Sequence, residues 1–148
     1  MKTVKLLVGI PGSGKSTYTK QFPNAVIVSA DHYFTNSNGD YNFDKTKLGK
    51  AHDECFYLYV KAILEKKDMV IVDNTNAKRR DLFRYLEFAN VHKYNVELVY
   101  IKCDPEVAFK RNVHEVPLET IQKMHKSIGY LIMDLPSGVT LEVIDNSK

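Results

Sequence analysis

Short apolar runs alternate along this chain with longer segments in which apolar residues recur every three or four positions. Short runs bounded by polar or glycine-rich segments predict buried strands, whereas the longer periodic segments predict helices. The predicted strands are 3–8, 25–29, 69–72, 96–101 and 140–144. The predicted helices are 15–22, 44–66, 78–91, 105–112 and 117–130, and the polar segment 31–43 is predicted to be a loop.

The order of these elements indicates the fold class. Strands that alternate with helices, and that are apolar on both faces, are typical of a parallel sheet covered by helices on both sides. We therefore expect a three-layer α/β fold. The 148 residues suit one domain, and no linker, repeat or low-complexity segment divides them, so we expect a single domain over residues 1–148.

Composition narrows the function classes only a little. A chain that is 44% apolar and 26% charged is ordinary for a globular protein, and its net charge of +3 is compatible with a polyanionic partner without requiring one. The apolar runs are too short to span a membrane, and nothing indicates a membrane or protein partner. Cys55 and Cys103 have no paired-ligand spacing, so we interpret both as core residues of a reducing, cytoplasmic protein.

The segment GIPGSGKST, residues 9–17, carries the strongest functional signal. Its Gly-x-x-x-x-Gly-Lys-Ser spacing fits the P-loop pattern, and it lies between a predicted strand and a predicted helix, as that pattern requires. Glycines let backbone N–H groups turn towards an anion, Lys15 can reach β- and γ-phosphates, and the Ser16 hydroxyl can bind Mg²⁺. The predicted nucleotide-binding residues are Gly12, Ser13, Gly14, Lys15, Ser16 and Thr17.

Two aspartates that follow predicted strands are expected at the same cleft as the P-loop, because ligands of such sheets bind beyond the carboxyl ends of the strands. Asp73 is placed to hold Mg²⁺ through water, which leaves Asp31 to accept a proton from an attacking hydroxyl. The alternative is that either carboxylate only caps the following turn or helix. Asn74 either binds substrate or satisfies its turn, and for Asn76 we favour the turn.

Basic residues stand at the start of the predicted helix 78–91. Lys78, Arg79 and Arg80 fall in its first turn, where each cation opposes the helix dipole by roughly 0.3–1 kcal/mol. This placement indicates an anionic substrate at Arg79 and Arg80, although a solvated basic face is the commoner reason for such a run.

Taken together, these motifs resemble the polynucleotide-kinase-like branch of the P-loop kinases. That branch includes the phage 5′-hydroxyl polynucleotide kinases and the kinase-like domain of NEDD4-binding protein 2. The resemblance covers nearly the whole chain. It rests on GIPGSGKST, SADHYF, YNFDKTKLGKAHDEC, VIVDNTN, and FKRN followed by VPLETIQKMHKS.

The resemblance implies Mg²⁺-dependent transfer of a phosphoryl group from ATP to the 5′-hydroxyl of a single-stranded DNA or RNA end. It implies that Lys15 and Ser16 bind phosphates and Mg²⁺. It also implies that Asp31 is the general base and that Arg111 belongs to a helical lid at about 105–120. The implied fold has the strand order 2-3-1-4-5.

Three positions depart from the phage enzymes. An arginine that helps to bind the nucleic-acid end is replaced by Phe34, and the acid before the Thr-Asn pair is replaced by Asn74. The segment Val113-His114-Glu115 lacks a second lid arginine. These departures keep two other functions open, namely a kinase for a small acceptor such as a nucleoside or sugar nucleotide, and a nucleotide-dependent binding module without turnover.

Aromatic residues cluster in the predicted loop 31–43. Tyr33, Phe34, Tyr41 and Phe43 either stack on a nucleobase of the substrate or pack the loop onto the long helix, and the sequence does not decide between these roles.

Overall fold

A computed structural model of the chain describes residues 2–112 and 115–147. The strands are β1 (Thr3–Val8), β2 (Val26–Val28), β3 (Met69–Val72), β4 (Asn95–Lys102) and β5 (Thr140–Asp145). The helices are α1 (Lys15–Thr19), α2 (Leu48–Leu64), α3 (Arg79–Val91), α4 (Pro105–Arg111) and α5 (Leu118–Met133). Short 3₁₀ turns cover Ala30–Phe34 and Lys45–Lys47.

These strands pair in parallel in the order β2-β3-β1-β4-β5. The predicted α/β fold and the strand order 2-3-1-4-5 are therefore confirmed. Within the described part of the chain, none of the helices has the length and apolar character needed to cross a membrane.

The core lies on both faces of the sheet, which explains why the central strands are apolar throughout. Leu6 and Leu98 are fully buried on the face covered by α2, α3 and α5. Leu7 and Val99 are fully buried on the opposite face, where Tyr18 of α1 covers them. Each such side chain contributes about 1.5–3 kcal/mol through its removal from water.

The strand register brings the loops that follow the strands to one edge of the sheet. Val72 of β3 pairs with both Leu6 of β1 and Val28 of β2, and Val8 pairs with Tyr100 of β4. Because all strands run in the same direction, the segments after them meet at the carboxyl edge.

The prediction of a loop over 31–43 is wrong at its start, where Ala30–Phe34 forms a 3₁₀ turn. Ser29 Oγ accepts a hydrogen bond from the Asp31 N–H (3.2 Å), and Phe34 is buried against Ala51 of α2. A local cap and one buried ring thus give regular structure to a polar segment.

The predicted helix 44–66 is shorter than expected. Asp44 Oδ1 accepts a hydrogen bond from the Thr46 N–H (3.0 Å), which starts a 3₁₀ turn, and the α-helix begins only at Leu48. The first helix also ends early, at Thr19 rather than residue 22.

Candidate active site

The P-loop after β1 has a backbone that only glycine fits at its two tightest points. Gly12 has a φ of 84°, and a Cβ there would lie 2.1 Å from the Ala108 carbonyl oxygen. Gly14 has a φ of 105°, and a Cβ there would lie 2.7 Å from Asn146 Nδ2. The loop can therefore pack closely against α4 and the segment after β5.

Lys15 folds back into this loop. Its ammonium group donates to the carbonyl oxygens of Gly9 (2.8 Å) and Ile10 (3.1 Å). Burial lowers the pKa of Lys15, and the negative charges of Asp73 and Asp31 partly oppose that shift. The ammonium group is thus held at the loop, near both carboxylates that the sequence singled out.

The remaining P-loop residues divide between the cleft and the interior. Gly12, Gly14, Ser16 and Thr17 line the cleft, and the last two are exposed. Ser13 is fully buried and does not line it, and within residues 2–112 and 115–147 its hydroxyl has no hydrogen-bond partner. The Ser13 side chain therefore lies inside the loop, and the nucleotide-binding role of Ser13 stays a prediction.

A residue that sequence reasoning missed, Asn146, fixes the P-loop from the opposite side of the cleft. Its side-chain amide donates to the Ser13 carbonyl oxygen (3.0 Å), and its backbone N–H donates to the Lys102 carbonyl oxygen (2.7 Å). These residues are far apart along the chain, so no local pattern could indicate the contact.

Asp73 lies at the end of β3, half-buried at the floor of the cleft. Burial raises the pKa of Asp73, Lys15 lowers it, and Asp31 raises it further. Its backbone N–H donates to the Val28 carbonyl oxygen (2.8 Å), which fixes Asp73 beside the end of β2.

Asp31 is exposed to the cleft at the start of the turn after β2. The Tyr41 hydroxyl donates a hydrogen bond to Asp31 Oδ1 (3.3 Å). Burial and the nearby Asp31 charge raise the pKa of Tyr41 to about 12, so Tyr41 stays a donor at physiological pH. This pairing was also missed, because the sequence only grouped Tyr41 with other aromatic residues.

Tyr41 reaches Asp31 because residues 35–42 form a small hairpin. Thr35 and Tyr41 form an antiparallel bridge, and the Asn42 N–H donates to the Phe34 carbonyl oxygen (2.8 Å). Asn36 Oδ1 accepts from the backbone N–H groups of Asn38 and Asp40, both at 2.9 Å, which closes the turn.

The aromatic residues of this region differ in exposure, and their stacking on a nucleobase stays a prediction. Phe34 is only 6% exposed, and its ring packs onto α2. Tyr33 and Phe43 are 37% and 53% exposed, so their rings remain accessible.

Asn74 and Asn76 serve the framework of the cleft. Asn74 is buried at the wall of the cleft, and its Oδ1 accepts from the Ala30 N–H (2.8 Å), so it joins the ends of β2 and β3, while its contact with substrate stays a prediction. Asn76 is also buried and donates from Nδ2 to the Leu7 carbonyl oxygen (2.7 Å). This contact joins the segment after β3 to β1, so the role within its own turn that we favoured for Asn76 stays a prediction.

The basic residues at the start of α3 differ in their surroundings. Arg80 lines the cleft, whereas Arg79 does not and forms an ion pair with Asp134 (3.3 Å). Arg84, one turn further along, also lines the cleft, and its guanidinium lies over the Phe56 ring and pairs with Asp53 (3.2 Å). Arg84 follows Arg80 by four residues, so helical periodicity could have indicated that both side chains lie on the same face of α3.

Arg111 ends α4 and lines the cleft opposite this basic face. Its Nη1 donates to the Asn146 carbonyl oxygen (3.1 Å), next to the P-loop. The predicted lid continues through 113–114, which lie outside the described residues, so the lid and the role of Arg111 in it stay predictions.

The result is an open cleft of about 1890 Å³ at the carboxyl edge of the sheet. It combines the P-loop, acidic residues that include Asp31 and Asp73, and basic side chains from α1, α3, α4 and α5. Such a set can hold a polyphosphate while a carboxylate faces a second ligand.

Comparisons with known proteins agree with this description. Residues 4–129 match the family model described as an AAA domain, AAA_33. Human NEDD4-binding protein 2 is 37% identical over 127 residues, which covers 80% of this chain and 7% of that protein. The L-seryl-tRNA(Sec) kinase of Methanococcus maripaludis is 29% identical over 144 residues, which covers 82% of this chain and 50% of that protein.

A third relative is a protein of Autographa californica nuclear polyhedrosis virus that is named as a bifunctional polynucleotide kinase/RNA ligase. It is 28% identical over 143 residues, which covers 84% of this chain and 20% of that protein. The chain therefore spans at most half the length of these relatives.

Solved structures share the fold. A chain of the Pnkp1/Rnl/Hen1 RNA repair complex matches with a TM-score of 0.74 at 22% identity, over 91% of this chain and 46% of that one. A chain from Chloroflexus aurantiacus matches with a TM-score of 0.68 at 13% identity, over 99% of this chain and 89% of that one.

Proposed function

Because this chain belongs to the AAA-domain family whose model it matches, we propose that it transfers the γ-phosphoryl group of ATP to the 5′-hydroxyl end of a single-stranded nucleic acid. The observation that carries this proposal is the position of Asp31. It is exposed to the cleft, it receives the Tyr41 hydroxyl, and its charge acts on Lys15 of the P-loop. The kinase names of two relatives, one of them a polynucleotide kinase/RNA ligase, support the acceptor class.

The P-loop binds the phosphates of ATP in this proposal. Its glycine backbone turns N–H groups towards the cleft, and Lys15 exchanges the carbonyl oxygens of Gly9 and Ile10 for phosphate oxygens. Ser16 and Thr17 lie exposed at the start of α1, where the helix N-terminus favours negative charge.

The donor set of the cleft fits Mg²⁺, which prefers oxygen ligands. Ser16 Oγ and the Asp73 carboxylate would hold the ion together with phosphate oxygens. Among the described residues, no group of three or more His, Cys, Asp or Glu side chains could hold a metal alone, so the phosphates must complete the site. When bound, Mg²⁺ neutralises charge on the phosphates.

Asp31 acts as general base on the acceptor. It takes the proton of the 5′-hydroxyl as the hydroxyl oxygen bonds to the γ-phosphorus and the bond from that phosphorus to the β-phosphate oxygen breaks. Arg111, on a lid assigned to about 105–120, lies beside the P-loop through Asn146 and stabilises the charge that develops on the transferred group. The products are ADP and a 5′-phosphorylated strand.

Other residues of the cleft position the acceptor strand. Arg80 and Arg84 form a basic wall suited to the backbone phosphates of a strand. We further propose a reducing, cytoplasmic setting for this activity, which the buried free thiols of Cys55 and Cys103 support.

The test is phosphate transfer from γ-labelled ATP and Mg²⁺ to 5′-hydroxyl DNA and RNA oligonucleotides. We expect Asp31→Asn to lower the rate about 10²–10⁴-fold because the amide cannot accept the proton. ATP should still bind, because no hydrogen bond joins Asp31 to Lys15, which is held by the carbonyl oxygens of Gly9 and Ile10. Asp68→Asn is the matched control, since Asp68 is exposed before β3 at the other edge of the sheet. Equal rates for wild type and Asp31→Asn would overturn the assignment of the base.

The same assay separates the alternative functions. Transfer to nucleosides or sugar nucleotides, with none to oligonucleotides, would identify a small-molecule kinase. ATP binding without transfer to any acceptor would identify a nucleotide-dependent binding module.

A further inference from the structure

A second groove adjoins the candidate active site. It has a volume of about 760 Å³ and runs along the 3₁₀ turn after β2 and the turn before α2. Phe43 and Lys45 line both this groove and the main cleft, so the two adjoin at these residues. The groove therefore leads away from Asp31 along the protein surface.

The floor of this groove presents exposed aromatic rings held in fixed orientations. The Phe43 ring lies nearly parallel to that of Tyr41, with an angle of 10° and centroids 6.4 Å apart, and contacts the buried Phe34 ring edge-on at 5.1 Å. Tyr33 packs edge-on against the other side of Phe34 at 5.2 Å. Two accessible rings are thus fixed by one buried ring, which is a rigid platform for stacking.

Positive charge borders the platform. Lys45 and Lys47 line the groove, and among residues 2–112 and 115–147 neither forms an ion pair with a carboxylate. Asp44, which also lines the groove, accepts hydrogen bonds from the Thr46 N–H (3.0 Å) and hydroxyl (2.6 Å). Lys47 also acts electrostatically on the Asp44 carboxylate, but among the described residues neither lysine is held in an ion pair, so both can approach an anion beside the aromatic rings.

Aromatic rings bordered by lysines are the combination that binds single-stranded nucleic acid without sequence preference, because every base has a face that can stack. Tyr41 connects this platform to the chemistry, since its hydroxyl contacts Asp31 while its ring lies parallel to Phe43. A strand whose 5′-hydroxyl reaches Asp31 would pass Phe43 next.

We propose that this groove binds the nucleotides on the 3′ side of the end that is phosphorylated. A base stacks on Phe43, and the following phosphates lie near Lys45 and Lys47. The inference rests on the proposed function, which it deepens by naming the surface that binds the strand beyond its first nucleotide.

The first test measures binding, so that it does not depend on catalysis. Single strands with a free 5′-hydroxyl and a 3′ fluorophore are titrated at increasing length, starting from a labelled nucleoside 3′-phosphate. We expect Phe43→Ala to weaken oligonucleotide binding about 5- to 150-fold and to leave the nucleoside 3′-phosphate unaffected. Phe43→Tyr should retain binding, and Phe83→Ala, at an exposed ring on α3, is the matched control.

The second test separates charge from stacking. We expect Lys47→Ala to lower the slope of log affinity against log salt by about 0.7, as for one phosphate contact on a single strand. Lys61→Ala on α2 is the control, because Lys61 is exposed and lies outside the groove.

The outcomes separate this inference from the proposed function. Unchanged oligonucleotide binding by both Phe43→Ala and Lys47→Ala would overturn the groove, even if wild type phosphorylates oligonucleotides. Binding that depends on Phe43, without any phosphate transfer, would support the groove and overturn the proposed activity. An increase in KM with unchanged kcat in Phe43→Ala would support both.

Discussion

At the residue scale, the conformation of the P-loop depends on glycine positions at which a side chain would overlap neighbouring atoms. Gly12 combines a left-handed backbone with direct contact to the Ala108 carbonyl oxygen, so its role follows from geometry. The P-loop pattern specifies Gly9 and Gly14 but leaves Gly12 open, and it does not indicate Ala108 as the neighbour of Gly12 in space. The Tyr41 hydroxyl differs, because its proposed role depends on a hydrogen bond to Asp31 that no sequence motif indicated.

We expect Gly12→Ala to lower the free energy of unfolding by about 1–3 kcal/mol and to weaken ATP binding, because the new methyl group would overlap Ala108. Chemical denaturation and ATP titration measure the two effects. Gly49→Ala on α2 is the control, since a Cβ there meets nothing within 4 Å, and it should keep wild-type ATP affinity and not lower the free energy of unfolding. Wild-type ATP affinity in Gly12→Ala would contradict the tight fit of the loop.

We expect Tyr41→Phe to lower kcat about 2- to 12-fold, the effect of losing one ordinary hydrogen bond. The Tyr41 hydroxyl donates to Asp31 Oδ1 and so orients the carboxylate that accepts the proton. Steady-state kinetics of the variant measure kcat, and the affinity for ATP should stay unchanged because, among the described residues, this hydroxyl contacts Asp31 and not the P-loop. An unchanged kcat would show that Tyr41 only packs the hairpin.

At the element scale, the strands were predictable and the polar connections were not. The predicted limits of β1 and β3 are confirmed to the residue, because short apolar runs are bounded by charged or glycine residues there. The predictions for the start of α2 and for residues 30–34 were wrong, because side-chain caps and the burial of Phe34 against α2 determine the structure there. Neither a cap nor a single buried ring produces a periodic pattern of apolar residues.

The glycines of the C-terminal third give an element-scale prediction. Gly129 lies inside α5 with open space around it, so Gly129→Ala should raise the free energy of unfolding by about 1 kcal/mol. Gly138 also has open space but a φ of 85°, so Gly138→Ala should lower that free energy. Urea denaturation of both variants checks this, and equal shifts would contradict the role assigned to backbone conformation.

At the scale of the whole molecule, one network of polar side chains links β1, α1, β4 and β5. Lys5 of β1, 6% exposed, donates to Tyr18 of α1 and to Glu97 of β4, both at 3.1 Å. Tyr18 in turn donates to Glu142 of the edge strand β5, again at 3.1 Å. The short apolar run 3–8 predicted that Lys5 lies within a strand, but it did not indicate the other members of the network, which belong to three other elements.

This network makes stability depend on pH in the alkaline range. Burial lowers the pKa of Lys5, but its hydrogen bonds to Tyr18 and Glu97 outweigh burial, so the net pKa is raised. The contribution of the Lys5 charge is therefore complete below the ordinary lysine pKa and is lost as pH rises through the raised value. We expect the difference in unfolding free energy between wild type and Lys5→Met to shrink over that range in urea titrations, whereas that for the exposed control Lys61→Met stays flat. A constant difference for Lys5→Met would mean that the side chain contributes through its packing on Phe22 instead of its charge.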